Sequence, residues 1–177
     1  MNDFLELARR RQSSRGFDDQ PVEHEKLVNC VEAARLAPSG CNSQPWSFVV
    51  AETPEIVLEI AKSTQALNNN GWADTAKAFI IIYEEHAVLM PFLRAIVPSQ
   101  FFAKSDIGGA VLSACLEAET QGLGTCIIGV FDRERICKAV DIPKEKNIAG
   151  LIAVGYAANP KVREKSRNKL EDIVKYV

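Results

Sequence analysis

The sequence predicts an α+β sandwich, a single domain over residues 1–177. Three observations carry that reading. Apolar runs fit to be strands recur at 46–51, 78–83, 126–130 and 148–155. Stretches with helical spacing lie between them. The two kinds of segment alternate irregularly and not as strict βαβ units, which argues against a doubly wound nucleotide-binding fold.

Residues 3–12 predict a short helix with Asp3 at its cap and Phe4, Leu5, Leu7 and Ala8 along an apolar side. A second helix is expected from Glu23 to Ala37, with Leu27, Val31 and Ala34 on one face, closed by Pro38. After the strand Trp46–Ala51, Thr53 caps and Pro54 starts a helix that turns Ile56, Ile60 and Ala61 inward. Asn68-Asn69-Asn70-Gly71 then breaks the pattern. The run Ala78–Tyr83 is continuous and β-branched, as suits a central strand covered on both faces. Residues 86–104 hold two prolines and several phenylalanines without a clean period, and are expected to form a flexible lid. A long buried helix follows from Ser105 or Asp106 to Gln121, with Ile107, Val111, Ala114, Cys115 and Ala118 at helical spacing and Gly122 as its stop. Cys126–Val130 is a strand, Asp132 caps a helix through Val140, and Ile148–Gly155 is the last strand.

Composition narrows the function. The chain of 177 residues is 47% hydrophobic and 25% charged, so it can bury a core without disulfides or a structural metal. A net charge of -2 offers no field to recruit nucleic acid or an anionic membrane. Small molecules, or a second copy of the chain, are the expected partners. The five cysteines include no Cys-x-x-Cys pair, which fits reduced thiols and a cytoplasmic location. The N-terminus has no signal core, and no apolar run is long enough to span a bilayer. His24 and His86 are the only histidines, too little material for a histidine-based triad or a metal centre.

The most informative stretch is Pro38-Ser39-Gly40-Cys41-Asn42-Ser43-Gln44-Pro45-Trp46. Its prolines fix φ, Gly40 permits close backbone approach, and Ser39, Asn42 and Gln44 supply donors and acceptors for a planar polar ligand. Arg11-Gln12-Ser13-Ser14-Arg15 precedes it. Gly122-Leu123-Gly124-Thr125-Cys126-Ile127-Ile128-Gly129 and Lys165-Ser166-Arg167-Asn168-Lys169-Leu170-Glu171-Asp172-Ile173-Val174 follow. Together, and in this order, the four elements resemble the FMN-dependent nitroreductase family over nearly the whole chain.

That resemblance implies a three-layer sandwich with a central mixed or antiparallel sheet flanked by helices, and a homodimer with residues 159–177 as a dimerisation tail. It implies FMN as cofactor, NADH or NADPH as reductant, and hydride transfer through the flavin to nitroaromatic, quinone or similar small acceptors. Arg11, Lys165 and Arg167, with Ser13 and the neighbouring Gln12, would clamp the phosphate. Arg15 would lie near the pyrimidine end, and Asn70, or Asn69 beside it, would contact that ring. Ile128 and Gly129 would offer backbone near the flavin N5. Pro38, Ser39, Gly40, Asn42 and Gln44 would serve the flavin held mainly by the other subunit, with no catalytic side chain required. Gln12 departs from the family, where a second Arg is frequent, and Cys41 stands where Ala or Gly is common. Arg9 and Arg10 read as a solvated basic face. Two alternatives share the scaffold: an oxidase or dehalogenase that uses FMN, and a flavin-binding protein without enzymatic activity.

Overall fold

The run Phe79-Ile80-Ile81-Ile82 lies at the heart of the molecule, every one of its side chains buried. The computed structural model describes residues 4–65 and 69–177. Strands β1 (Trp46–Ala51), β2 (Ala78–Glu84), β3 (Gly124–Ile128) and β4 (Ile148–Gly155) form one sheet in the order β1-β2-β4-β3. Each neighbouring pair is antiparallel, so the sheet is antiparallel and not mixed. A lone parallel bridge joins Ser13 to Thr125 on the outer edge of β3.

Strand periodicity sends alternate side chains to opposite faces. Phe79 and Ile81 of β2, with Leu151 and Ala153 of β4, pack against helices α3 (Pro54–Ser63) and α6 (Arg133–Ala139). Ile80, Ile82, Ile152 and Val154 face α2 (His24–Arg35) and α5 (Ala103–Thr120). Three layers result, helices over sheet over helices. Burying each such branched side chain contributes about 1.5–3 kcal/mol relative to exposure.

The helical expectations hold in the core and shift at the ends. On α2, Leu27 and Ala34 are buried together with Cys30, while Val31 is half-buried. On α5 all five predicted residues, Ile107, Val111, Ala114, Cys115 and Ala118, are buried. That helix begins at Ala103, ahead of the expected Ser105 or Asp106, because Phe102 takes the cap position and the Asp106 carboxylate accepts from Gly40 N instead (3.0 Å). It stops at Gly122, whose φ of 78° is the left-handed conformation a helix end favours. Strand β3 runs two residues earlier than predicted, since Gly124 already pairs with Gly155 and the ladder ends where Ile128 meets Leu151. Gly129 and Val130 lie outside the strand. Thr53 occupies the cap of α3 without a side-chain bond, whereas Asp132 caps α6 by accepting from Arg135 N (3.1 Å).

Helix α1 (Phe4–Arg10) fully buries none of its residues; of its predicted apolar side Leu7 is half-buried and Phe4, Leu5 and Ala8 are exposed, and Asp3 lies outside the described residues. The segment 86–104 carries one short helix, α4 (Pro91–Arg94), and its base is pinned by Gln100. Gln100 Oε1 accepts from Ala87 N (2.6 Å), and its Nε2 donates to Glu84 Oε1 (2.5 Å) and Glu85 O (3.0 Å). Near the C-terminus, α7 (Leu170–Ile173) is a single exposed turn that the sequence pattern did not announce.

Candidate functional site

Two pieces of chain distant in sequence build a basic corner of the surface. After α1, residues 12–16 extend along the free edge of β3: Ser14 N donates to Thr125 O (2.8 Å), next to the Ser13 bridge. Gly124 makes this docking possible, because a Cβ there would lie 2.6 Å from Ser14 Oγ. Beyond β4 the chain returns past the same edge. Gln12 stitches the two pieces, its Nε2 donating to Lys161 O (3.0 Å) and its Oε1 accepting from Arg163 N and Nε (3.1 Å each). Arg163 Nη2 donates to Ser13 O (2.7 Å), and Lys165 Nζ donates to Arg11 O.

The result is a pocket of about 260 Å³ with Arg11 and Gln12 on one wall and residues 163–167 on the other. Arg11, Lys165 and Arg167, expected together from the sequence, all line it. Arg163 lines it too and was missed. A signal was present: in an extended segment alternate residues share a side, and 163, 165 and 167 are all cationic. Burial, then the charges of Arg11 and Arg167, hold the Lys165 ammonium below its ordinary 10.5. Cations that disfavour one another in this way form a ready site for a phosphate dianion. Ser13 stands beside them, although its carbonyl is already bonded to Arg163.

Phe17 links this corner to the next elements. Its ring packs on Trp72 (centroids 6.2 Å apart), its N–H donates to Thr75 Oγ1 (3.0 Å), and it shares a core cluster with Ile128. Asn70, at φ 54°, opens the 3₁₀ turn Gly71–Thr75, and its Nδ2 donates to Thr64 O (3.1 Å). The adjacent Ser63 O accepts from Asp132 N (2.8 Å), which brings the end of β3 and Gly129 toward the Asn70 turn. Ile128 is buried, Asn70 half-buried and Gly129 exposed, while Arg15 lines the gap between residues 12–16 and 158–163; Asn69 is exposed, and Asn68 lies outside the described residues.

The loop 38–45 is elsewhere. Its Gly40 lies against Phe102, where an added Cβ would sit 3.3 Å from the ring, and Gly40 N is held by Asp106. Asp106 is in the first turn of α5, whereas Glu119, which pairs with Arg10 at 3.1 Å beside the basic pocket, is in the last. The two lie thirteen positions apart along the helix, or about 20 Å at 1.5 Å per residue. Arg9 and Arg10 are exposed, as expected of a solvated face, and Arg10 is in addition paired across to α5. Within the loop, Ser39 Oγ accepts from Gln44 N (2.9 Å), and Gln44 Nε2 donates to Asn42 O (3.2 Å). Cys41, Asn42 and Gln44 all adopt positive φ (56°, 53° and 47°), a conformation costly for residues with a Cβ. Pro38 and Asn42 are exposed, and Ser43 Oγ is buried without a hydrogen-bond partner.

Among the described residues no cluster of His, Cys, Asp or Glu could hold a metal, and no helix is long and apolar enough to cross a membrane. An antiparallel sheet lies between helical layers, and the basic pocket at its edge offers positive charge to an anionic ligand. The chain belongs to the nitroreductase family, whose model matches residues 8–156. It is 28% identical to a Streptococcus pyogenes protein named as an NAD(P)H nitroreductase, over 87% of this chain and 90% of that one. It is also 28% identical to an iodotyrosine deiodinase of Thermotoga neapolitana, over 99% of this chain and 98% of that one. A nitroreductase from Exiguobacterium sibiricum, solved in complex with FMN, superposes with a TM-score of 0.81 at 22% identity, covering 100% of this chain and 98% of that one.

Proposed function

We propose that the protein is an FMN-dependent oxidoreductase that takes hydride from NADH or NADPH and delivers it to nitroaromatic, quinone or similar small acceptors. The meeting of Arg11, Lys165 and Arg167 around one pocket carries this reading. FMN ends in a phosphate dianion, and that charge would offset the burial and, after it, the neighbouring cations that depress Lys165. When bound, FMN supplies the hydride chemistry; the chain's own work is to hold and orient it. Arg11, Lys165 and Arg167 clamp the phosphate, with Ser13 adding a neutral donor. Gln12 serves at one remove, since both ends of its amide are spent on holding the clamp together. Arg15 brings a fixed positive charge to the polar rim of the ring system, where Asn70 and the Ile128–Gly129 backbone add contacts.

In one chain the loop of Pro38, Ser39, Gly40, Asn42 and Gln44 sits at the opposite end of α5 from the clamp. We infer that a second copy supplies this loop, so that the working unit is a homodimer with shared sites. Exposed Phe4, Leu112 and Ile127, together with Ile173, Val174 and Tyr176 of the tail 159–177, give the apolar surface such a dimer needs. Residues 86–104 are the proposed lid: Val88, Met90, Phe92 and Ile96 are exposed above the base fixed by Gln100. All five cysteines are unpaired, in keeping with a reducing, cytoplasmic setting.

The test is an absorbance spectrum of the purified protein, then anaerobic NADH or NADPH, then nitroaromatics and quinones. A yellow protein that bleaches with the reductant and regains colour with an acceptor is expected. Colourless protein that refuses added FMN would end the proposal. A second reading, reductive dehalogenation, is favoured by the deiodinase relative that spans 99% of the chain. Release of iodide from iodotyrosine by the reduced protein would select it.

A further inference from the structure

A cavity of about 430 Å³ lies along the first half of α5, the half that holds the loop 38–45 through Asp106. Ile107 and Val111 of α5, Ile127 of β3 and Ile148 of β4 give it an apolar lining. None of its residues belongs to the phosphate clamp or to the contacts proposed for the flavin ring. Its place follows from the sheet register. Ile128 and Leu151 form the last rung between β3 and β4, and the cavity wall continues along β4 as residues 148–150. Ile127 on the rim is two residues from Gly129, no more than about 7 Å of chain, so the cavity adjoins the backbone proposed to meet the ring.

A glycine keeps this space open. Gly108 lies inside α5, where glycine weakens a helix relative to alanine. A Cβ there would meet no atom within 4 Å, so no packing within the chain requires the glycine. Gly108 lines the cavity, and what its missing side chain preserves is volume. Cavities of about 300–1,000 Å³ enclose a whole small molecule, and this one falls in that range.

Charge narrows the occupant. Glu84 and Lys104 are the charged residues of the lining. Glu84 Oε1 accepts from Gln100 Nε2 (2.5 Å) and its Oε2 from Asn147 Nδ2 (3.0 Å), so both oxygens are engaged. The Lys104 side chain has no hydrogen-bond or ion-pair partner among the described residues. It also stands in the first turn of α5, where the helix dipole disfavours an unpaired cation. The unmet charge is positive. We propose that this cavity is the acceptor subsite and that it selects flat aromatic acceptors carrying a carboxylate, with the ring on Ile107, Val111 and Ile127 and the carboxylate paired with Lys104. The inference rests on the oxidoreductase reading above and names the class of acceptor. Ile127 also belongs to the apolar surface assigned to the second copy, so a partner chain would border the mouth of the cavity.

The test measures kcat/KM of the FMN-loaded protein for 4-nitrobenzoate, for its methyl ester and for the zwitterion 4-nitrophenylalanine. Lys104→Gln should lower the value for 4-nitrobenzoate about tenfold relative to the ester, the effect of one charged hydrogen bond, and Lys104→Arg should keep it. Gly108→Leu fills the cavity from a position with open space, and should lower the values for acid and ester alike without loss of flavin or of the urea midpoint. An acid-to-ester ratio that Lys104→Gln leaves unchanged overturns the subsite, as does a Gly108→Leu variant that handles both acceptors normally. A Gly108→Leu variant that sheds flavin or changes the oligomeric mass gives the space to the cofactor or to the second copy, and also overturns it. Preference for 4-nitrophenylalanine over 4-nitrobenzoate would engage Glu84 and overturn the anionic selection. Protein that takes up no flavin sinks the oxidoreductase reading separately. Calorimetry of that protein with 4-nitrobenzoate then decides the cavity: binding that is lost in Lys104→Gln supports it, and any other result overturns it.

Discussion

Gly124 has no room for a side chain, since its Cβ would lie 2.6 Å from Ser14 Oγ and 3.1 Å from Ala157 Cβ. Gly124→Ala is expected to push residues 12–16 off the edge of β3, at a cost of about 1–3 kcal/mol. Urea unfolding reads that cost, and a lower ratio of flavin to protein absorbance would follow, because Arg11 and Ser13 ride on the displaced segment. Lys165 sets a pH dependence. Its folded value lies below 10.5, through burial first and Arg11 and Arg167 next, and a bound phosphate dianion raises it again. Binding therefore takes up a proton above the depressed value, so FMN affinity should fall as pH rises through it, by at most about tenfold per pH unit for one proton. Lys165→Arg should flatten the slope, because Arg stays charged. Titration of the apoprotein with FMN between neutral pH and 10 measures both; an affinity that climbs with pH contradicts the assignment. Burial pushes the Cys30 thiol up to about 12.

Helix α5 spans the molecule and has a different task at each end. Its first turn holds the loop 38–45 through Asp106, a charge-assisted contact to Gly40 N. Asp106→Ala should cost about 1.5–3 kcal/mol, seen as a lower urea midpoint. A midpoint unchanged within error would mean that the strained turn at Cys41, Asn42 and Gln44 holds itself. Most elements were legible because period and burial agree: β1, β2 and β4, and the buried face of α5, follow directly from apolar spacing. The ends were harder to read. Asp106 resembled a cap but serves the loop, and β3 begins early because Gly124 is a packing position as well as a turn residue. The cationic residues of the clamp could be named from their motifs. Arg163 escaped because its role depends on Gln12, 151 residues away. Contacts of that range leave no local pattern.

At the scale of the whole molecule, the separation of loop and clamp by the length of α5 makes a test of the shared-site dimer possible. Arg11→Ala or Arg167→Ala in every chain should reduce flavin retention severalfold without lowering the unfolding free energy read in urea by more than about 0.5 kcal/mol, as expected for exposed or half-exposed side chains. Loss of the loop contact in Asn42→Ala should weaken flavin retention as well. Co-expression of Arg11→Ala and Asn42→Ala chains with different tags, then isolation of the hybrid, should restore one intact site in two, because one interface then combines an unaltered clamp with an unaltered loop. A hybrid that binds no more flavin than either parent would mean that each chain serves itself.

The stitching of residue 12 to residues 161 and 163 also imposes an order on synthesis. Until the last strand and the segment after it have left the ribosome, the first basic residues have nothing to grip, and the anion pocket does not exist. A nascent chain stalled or cleaved before residue 167 would carry a finished sheet yet no complete clamp. Ligand capture at that pocket thus reports that translation has passed residue 167.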